Sequence, residues 1–204
     1  SITVDNYQQL FNADQINLSM GVYDGQSIGL TGEIKSITSR ELHLDPVMQY
    51  SVIETNGHRV GYLLYQQYID SYKTSVDAAL QYFQNQQITD LVVDVRYNPG
   101  GAITAAQYLC SSIAPKSVVD AKELLVTYQF NSFITDDYVK NNAIEQTRVR
   151  FNNKATVNLD MNKVYFLTGS GSASASELTI TGLRPYMNVV LIGDTTYGKY
   201  TGSF

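Results

Sequence analysis

Leu91-Val92-Val93-Asp94-Val95 is a short β-branched run, and Arg96-Tyr97-Asn98-Pro99-Gly100-Gly101 breaks it before a helix-like stretch from Ala102 to Ser112. A run of this length and composition is a strand buried in a sheet. A strand that halts at Pro-Gly-Gly and resumes as a helix is one half of a βαβ unit. Upstream, Val76, Ala79, Leu80 and Phe83 recur at i, i+3, i+4 and i+7, one face of a helix. Before that helix, Ser51-Val52-Ile53-Glu54 and Val60-Gly61-Tyr62-Leu63-Leu64-Tyr65 are strand-like and flank Asn56-Gly57. Asn-Gly tolerates the positive φ of a tight turn, so the two runs predict a hairpin. Downstream of a less regular stretch, Val164-Tyr165-Phe166-Leu167 is a buried strand, Gly169 to Ser172 a loop and Ala173 to Leu183 a helix. Val189-Val190-Leu191-Ile192 is a last strand, ending at Gly193. This order predicts an α/β core in which helices flank a mostly parallel sheet. Loops at strand C-termini are where such folds place ligands and chemistry.

Upstream of Met48 the chain has a different character. Asp5 is placed to cap a short helix through Tyr7, Leu10 and Phe11. Ile16 to Val22 alternates apolar and polar, Asp24-Gly25 signals a turn, and Ile28 to Ile37 alternates again. A length of 204 residues fits one domain with a small appendage. Apolar residues make up 44% and charged residues 16%, enough to bury a core. The net charge of −5 argues against nucleic-acid binding, which needs clustered cations. Cys110 is the sole cysteine, which excludes an internal disulfide framework and a cysteine-rich zinc site. His43 and His58 are too few for a His-rich metal site and leave little for a histidine triad. No apolar run approaches the roughly 20 residues of a membrane span, and no signal peptide is visible. The opening Ser1-Ile2-Thr3-Val4 leads us to expect a processed or cut chain. A polar content drawn from Tyr, Gln, Asn, Ser and Thr suits an extracytoplasmic protein.

Each buried strand is followed by a loop able to carry chemistry. In Arg96 to Gly101, paired glycines at a helix start let backbone N–H groups approach a ligand without a Cβ in the way. They sit at the positive end of the helix dipole and suit half of an oxyanion hole. An ordinary Pro-Gly turn is the plain alternative. In Gly169 to Glu177, a serine at a strand-to-helix turn follows the physics of a nucleophile elbow, although Gly-x-Ser-x-Gly is absent. Ser174-Ala175-Ser176-Glu177 is equally a Ser-x-x-Glu capping box, which explains the same residues by capping alone. In Thr196-Tyr197-Gly198-Lys199, the lysine is either a solvated surface charge or an amine packed beside apolar walls. In the second case burial lowers its pKa, and it can take a proton from a serine without any histidine.

Leu91 to Gly101 resembles the DLRxNPGG signature of the C-terminal processing, or tail-specific, serine peptidases. Gly171-Ser172-Ala173-Ser174-Ala175-Ser176-Glu177-Leu178 resembles their GSASASE nucleophile motif. Gly193-Asp194-Thr195-Thr196-Tyr197-Gly198-Lys199 resembles their GExTxGK lysine motif, and the step of 25 residues from Ser174 to Lys199 matches the family's interval. The likeness runs from about Val52 to the chain end.

The resemblance implies a ClpP/crotonase-like α/β core and a serine endopeptidase with a Ser–Lys dyad, needing no cofactor and no metal. Ser174 would be the nucleophile and Lys199 the general base. The amide of Ala175 and one from Gly100 or Gly101 would hold the oxyanion. Some members orient the lysine with a glutamate three after the serine, which Glu177 matches. Others use a glutamine four after the lysine, where this chain has Ser203, or an aspartate eleven after the serine, where it has Pro185. Glu177 is therefore the expected third member and Ser203 the weaker one. The family also carries a PDZ-like domain before the core, which binds substrate C-termini by strand addition and carboxylate capture. Residues 1–46 resemble only the tail of such a domain with linker strands, a small β-rich remnant. Residues 47–204 resemble the catalytic core without the strands that follow the lysine. The chain is thus expected to be a piece of a longer enzyme, in the periplasm or cell envelope of a bacterium. Its expected partners are protein or peptide substrates recognised by their C-terminal tails.

Two other functions fit the same fold. A non-catalytic module for apolar ligands or peptides is suggested by the 11% aromatic content and the missing glutamine. The intact serine and lysine oppose it. An acyl-thioester enzyme of the crotonase type is suggested by the Gly-Gly loop, but it leaves Lys199 without a role.

Overall fold

The computed structural model describes residues 3–4, 7–40 and 44–202. Its contacts divide the chain into two compact units, 1–44 and 45–204. In the first, α1 (Tyr7–Phe11) precedes an antiparallel ribbon of β1 (Gln15–Tyr23) and β2 (Ile28–Thr38). The two alternating runs pair with Ile16 opposite Ile37 and Tyr23 opposite Ile28. Asp24 closes the turn between them, its Oδ1 accepting from the N–H groups of Gln26 and Ser27, each at 2.8 Å. Asp5, the expected cap of α1, lies outside the described residues, as does His43.

In the second unit β3 (Val47–Thr55) and β4 (His58–Tyr65) form the expected hairpin. Asn56 has φ 50° and Gly57 φ 79°, the pair of positive values that a two-residue turn between right-twisted strands requires. Then come α2 (Lys73–Asn85), β5 (Asp90–Asp94), α3 (Ile103–Ile113) and α4 (Lys116–Asp120). They are followed by β6 (Leu124–Thr127), α5 (Ser132–Lys140), β7 (Arg148–Arg150), β8 (Lys163–Thr168), α6 (Ala175–Leu183) and β9 (Asn188–Gly193). The main sheet runs β3-β4-β5-β8-β9, with β3 antiparallel and the other four parallel. Each parallel crossover advances the same way across the sheet, so right-handed connections bring α2, α3 and α6 to one face. There α3 packs against both α2 and α6.

That face holds the core. Leu63, Leu91, Val93, Val164 and Phe166 from the strands, and Leu80, Phe83, Leu109 and Leu183 from the helices, are at most 1% exposed. All four residues of the α2 stripe, Val76, Ala79, Leu80 and Phe83, are buried as their spacing predicts. Phe83 lies over β4 where Gly61 leaves room, since a Cβ at Gly61 would meet Phe83 at 3.2 Å and Ile88 at 2.8 Å. Phe83→Ala is expected to cost about 3–5 kcal/mol, through lost burial plus the cavity left behind. Urea unfolding reads this as a lower midpoint at constant slope, and a loss below about 1 kcal/mol would contradict the assigned packing.

The less regular stretch between α3 and β8 contains elements that periodicity does not announce. Strands β6 and β7 are short and pair antiparallel. Leu125 of β6 packs on Gly182 of α6, where a Cβ would come within 2.5 Å of it. Helix α5 buries no residue, and its Phe133, Ile134 and Val139 are exposed. Its start rests on Asn131, whose Oδ1 accepts from the Ile134 N–H at 3.0 Å.

Candidate active site

The C-terminal ends of β5, β8 and β9 lie side by side, and hydrogen bonds tie the three following loops together. The Val95 N–H donates to the Leu167 carbonyl at 3.0 Å. Ser172 Oγ donates to the Val95 carbonyl at 2.6 Å, and Ser176 Oγ to the Asn98 carbonyl at 2.9 Å. The Ala173 N–H reaches the same Asn98 carbonyl at 3.1 Å. The third loop joins through the Tyr197 N–H, which donates to the Ser172 carbonyl at 2.9 Å. Thr168 Oγ1 donates to the Asp194 carbonyl, also at 2.9 Å.

Ser174 sits where the second loop turns into α6, with φ 56° and ψ −112°. Helix α6 therefore starts at Ala175, two residues later than the apolar pattern predicts. A non-glycine residue held at positive φ is strained, and the surrounding bonds must over-determine it. Ser172 and Ser176, the neighbours two residues away, are fully buried with their hydroxyls engaged as above. Ser174 is half-buried and remains reachable.

The glycine pair lies directly against this turn. A Cβ on Gly100 would fall 2.7 Å from Ser174 Cβ and 2.8 Å from the Ala175 nitrogen. Gly101 is bridged in parallel to Tyr68: the Tyr68 N–H donates to the Gly100 carbonyl at 3.0 Å, and the Ala102 N–H to the Tyr68 carbonyl at 2.8 Å. The two glycine amides differ. That of Gly100 donates to Asn98 Oδ1 at 2.9 Å, and Gly100 is buried. Gly101 is exposed, and among the described residues its amide has no acceptor. Ala175, the first residue of α6, has an amide without an intrahelical acceptor.

Glu177 joins the serine turn to the lysine loop. Its Oε2 accepts from the Ser174 N–H at 2.8 Å and the Lys199 N–H at 2.9 Å, and its Oε1 accepts from the Gly198 N–H at 2.6 Å. Burial pushes the Glu177 carboxyl up, but the Thr196 hydroxyl and these three amides outweigh it and hold it below the usual carboxylate range. The Lys199 side chain is exposed, and among the described residues no bond joins its Nζ to Ser174 Oγ. The structure thus brings the Lys199 backbone to the site, through Glu177, and leaves the ammonium in solvent. Ser203 lies outside the described residues.

A depressed carboxyl pKa stabilises the folded state fully above the unfolded value, about 4.3. That contribution is lost as pH falls through the folded value. The Gly198 and Lys199 amides are therefore expected to lose hydrogen-exchange protection only in acid, below about pH 4.3. In Glu177→Gln their protection should be weaker at neutral pH and lack that acid transition. Equal protection in the two proteins at every pH would refute the latch.

Beneath the first loop, Asp94 is fully buried and pairs with Arg96, whose Nη2 lies 2.6 Å from Asp94 Oδ2. The Tyr62 hydroxyl donates to the same oxygen at 2.8 Å. Burial raises the Asp94 carboxyl, and these partners more than offset it, so it stays ionised. Sequence reasoning did not single out Asn98, Ser172 or Tyr68 as parts of the site. Asn98 and Ser172 stand inside the motifs, so their position was visible; the loops they join was not. No group of three or more His, Cys, Asp or Glu is placed to hold a metal ion among the described residues. No described helix is long and apolar enough to cross a membrane.

The carboxy-terminal processing protease CtpB of Bacillus subtilis is 28% identical over 167 residues, covering 81% of this chain and 30% of the relative. A carboxyl-terminal-processing protease of Picosynechococcus is 26% identical over 163 residues, with 80% and 34% covered. The chain spans about a third of the length of these curated relatives. A candidate S41 protease of Bacteroides fragilis superposes with a TM-score of 0.71 at 30% identity, over all of this chain and 53% of that one. The photosystem II D1 C-terminal processing protease shares the fold at a TM-score of 0.57 and 18% identity, over 82% of this chain and 41% of that one. The model of peptidase family S41 matches residues 59–204, which take in all three loops, and the chain belongs to that family.

Proposed function

We propose that this chain carries the catalytic core of a serine endopeptidase that works through Ser174 and Lys199. The observation that carries the reading is the strained, reachable Ser174 with the unengaged amide of Ala175 next to it in the chain and the glycine pair packed on it through Gly100. In this mechanism the Ser174 Oγ attacks the scissile carbonyl carbon while neutral Lys199 Nζ takes the hydroxyl proton. The carbonyl oxygen becomes an oxyanion and receives the two amides. The C–N bond then breaks, and the Lys199 ammonium returns the proton to the leaving amine. Water, deprotonated by the same lysine, hydrolyses the acyl-enzyme and releases Ser174. Glu177 acts by holding the backbone of the lysine loop, so that the exposed side chain needs only to swing inward over bound substrate.

The names of the relatives support protein substrates processed at their C-terminal ends; an extracytoplasmic site of action is part of the same proposal and rests on the motif resemblance alone. Residues 1–46 fit the tail of a PDZ-like domain with its linker, and residues 47–204 the catalytic core. One observation favours the other reading, an apolar-ligand module without turnover: the lysine side chain is exposed and unbonded to Ser174. A fluorophosphonate probe separates the two. In the full-length protein it is expected to add to Ser174 alone, located by peptide mapping, and to stop cleavage of an unfolded protein. Cleavage that survives complete labelling, or labelling without Ser174, would sink the proposal.

A further inference from the structure

The side chain of Asn98 has two partners, one at the end of β4 and one in the glycine turn. It is 0% exposed. Its Nδ2 donates to the Tyr65 carbonyl, at the end of β4, at 2.9 Å. Its Oδ1 accepts the Gly100 N–H at 2.9 Å. Its own carbonyl receives both the Ala173 N–H and the Ser176 hydroxyl, from the loop and helix that carry Ser174. One buried residue therefore fixes the end of a central strand, the glycine turn and the serine turn relative to one another.

We infer that Asn98 is a positioning residue that selects which glycine amide faces the substrate: by engaging the Gly100 N–H it leaves the Gly101 N–H as the oxyanion donor. This rests on the endopeptidase reading and deepens it. The geometry supports the selection twice over. An amide already bonded to a carboxamide oxygen has its proton directed inward, away from any oxyanion. The Tyr68 bridge uses the Gly100 carbonyl and the Ala102 N–H, so along an extended segment the intervening Gly101 N–H points to the other side. Exchanging donors would need the Asn98 bond to break and the peptide to turn, in a turn buried against Ser174. The oxyanion donor must sit within a few tenths of an ångström of its place, and a misplacement of about 1 Å costs on the order of 10²-fold in rate.

The experiment is residue-resolved amide hydrogen exchange on the full-length protein, with and without a peptide boronate that forms a tetrahedral adduct on the nucleophile. The Gly101 and Ala175 amides are expected to gain protection in the adduct, while Gly100 is protected in both states. Protection gained at Gly100 and not at Gly101 would overturn the inference. A protein that neither cleaves peptides nor binds the boronate would instead overturn the endopeptidase reading, so the two failures are distinguishable. Asn98→Ala is the second arm. It is expected to lower kcat by about 10²-fold and the boronate affinity in parallel, with KM for a matched peptide changing less than about threefold. A folded Asn98→Ala protein with unchanged kcat would refute the positioning role, and one that lost KM alone would refute it too. Should Asn98→Ala fail to fold, the exchange experiment on the unsubstituted protein still decides.

Discussion

Ser174→Ala is expected to reduce peptide cleavage by the full-length protein at least about 10⁴-fold, and Lys199→Ala by about 10³-fold, with substrate binding retained. The serine is singled out by geometry rather than by its place in a motif. Four serines stand within seven residues, Ser170, Ser172, Ser174 and Ser176. Two are fully buried and already donate, Ser172 to Val95 and Ser176 to Asn98. Ser172→Ala and Ser176→Ala should therefore cost stability, about 1 kcal/mol for each hydrogen bond lost, since the Val95 and Asn98 carbonyls each keep a second donor, the Asn98 and Ala173 N–H. Ser170 is exposed in the loop, and Ser170→Ala should leave the rate unchanged. Only Ser174 combines access with a strained backbone, at φ 56°. For the lysine the informative comparison is Lys199→Arg. A guanidinium keeps the charge but stays protonated at any working pH, so it cannot act as the base. Arginine should restore nothing, whereas a lysine needed only for its charge would be replaced by it with partial recovery. Full activity in Lys199→Ala would dispose of the dyad while leaving Ser174 open to another base.

What the sequence made legible was whatever has a local signature. Asn56-Gly57 announces the β3–β4 hairpin because the turn needs positive φ at both positions and only a few residues accept it. The α2 stripe is legible because Val76, Ala79, Leu80 and Phe83 share one helix face. The three loops are legible as motifs following buried strands. The division of labour inside them is not, because it depends on partners far away in the chain. Asn98 looks like half of an Asn-Pro turn until its side chain is seen to reach Tyr65, 33 residues earlier. Ser174 to Glu177 fits capping, and in the structure the cap does a second job. The Glu177 carboxylate that accepts the Ser174 N–H, as a capping box requires, also holds the amides of Gly198 and Lys199. Elements without a buried stripe stay silent, as with α5, and so do strands too short to show a period, as with β6 and β7.

Gly101→Ala is expected to abolish measurable cleavage and to destabilise the chain by about 3 kcal/mol or more, a larger loss than any exposed turn glycine would show. Two independent costs fall on this residue. Its φ of +141° lies where L-residues other than glycine are strained, about 1–3 kcal/mol. A Cβ there would also lie 2.2 Å from the Tyr68 carbonyl oxygen and 2.9 Å from the Tyr68 carbonyl carbon. Those are backbone atoms of a residue only 1% exposed, so the clash cannot be relieved by a side-chain rotation. Relief requires the Tyr68 segment to move off, which breaks the bonds from Tyr68 N–H to Gly100 and from Ala102 N–H to Tyr68, each worth about 1 kcal/mol. The same movement displaces the Gly101 amide, the inferred oxyanion donor, and loss of one such donor costs about 10²–10³ in kcat. Gly57→Ala is the matched comparison: φ is +79° there, but no atom lies within 4 Å of a new Cβ, so strain acts without a clash. Its cost should stay near 1 kcal/mol with activity intact. If the two alanine variants proved equally stable and equally active, the Tyr68 bridge would not be holding the glycine pair, and the oxyanion site would have to be built from other amides.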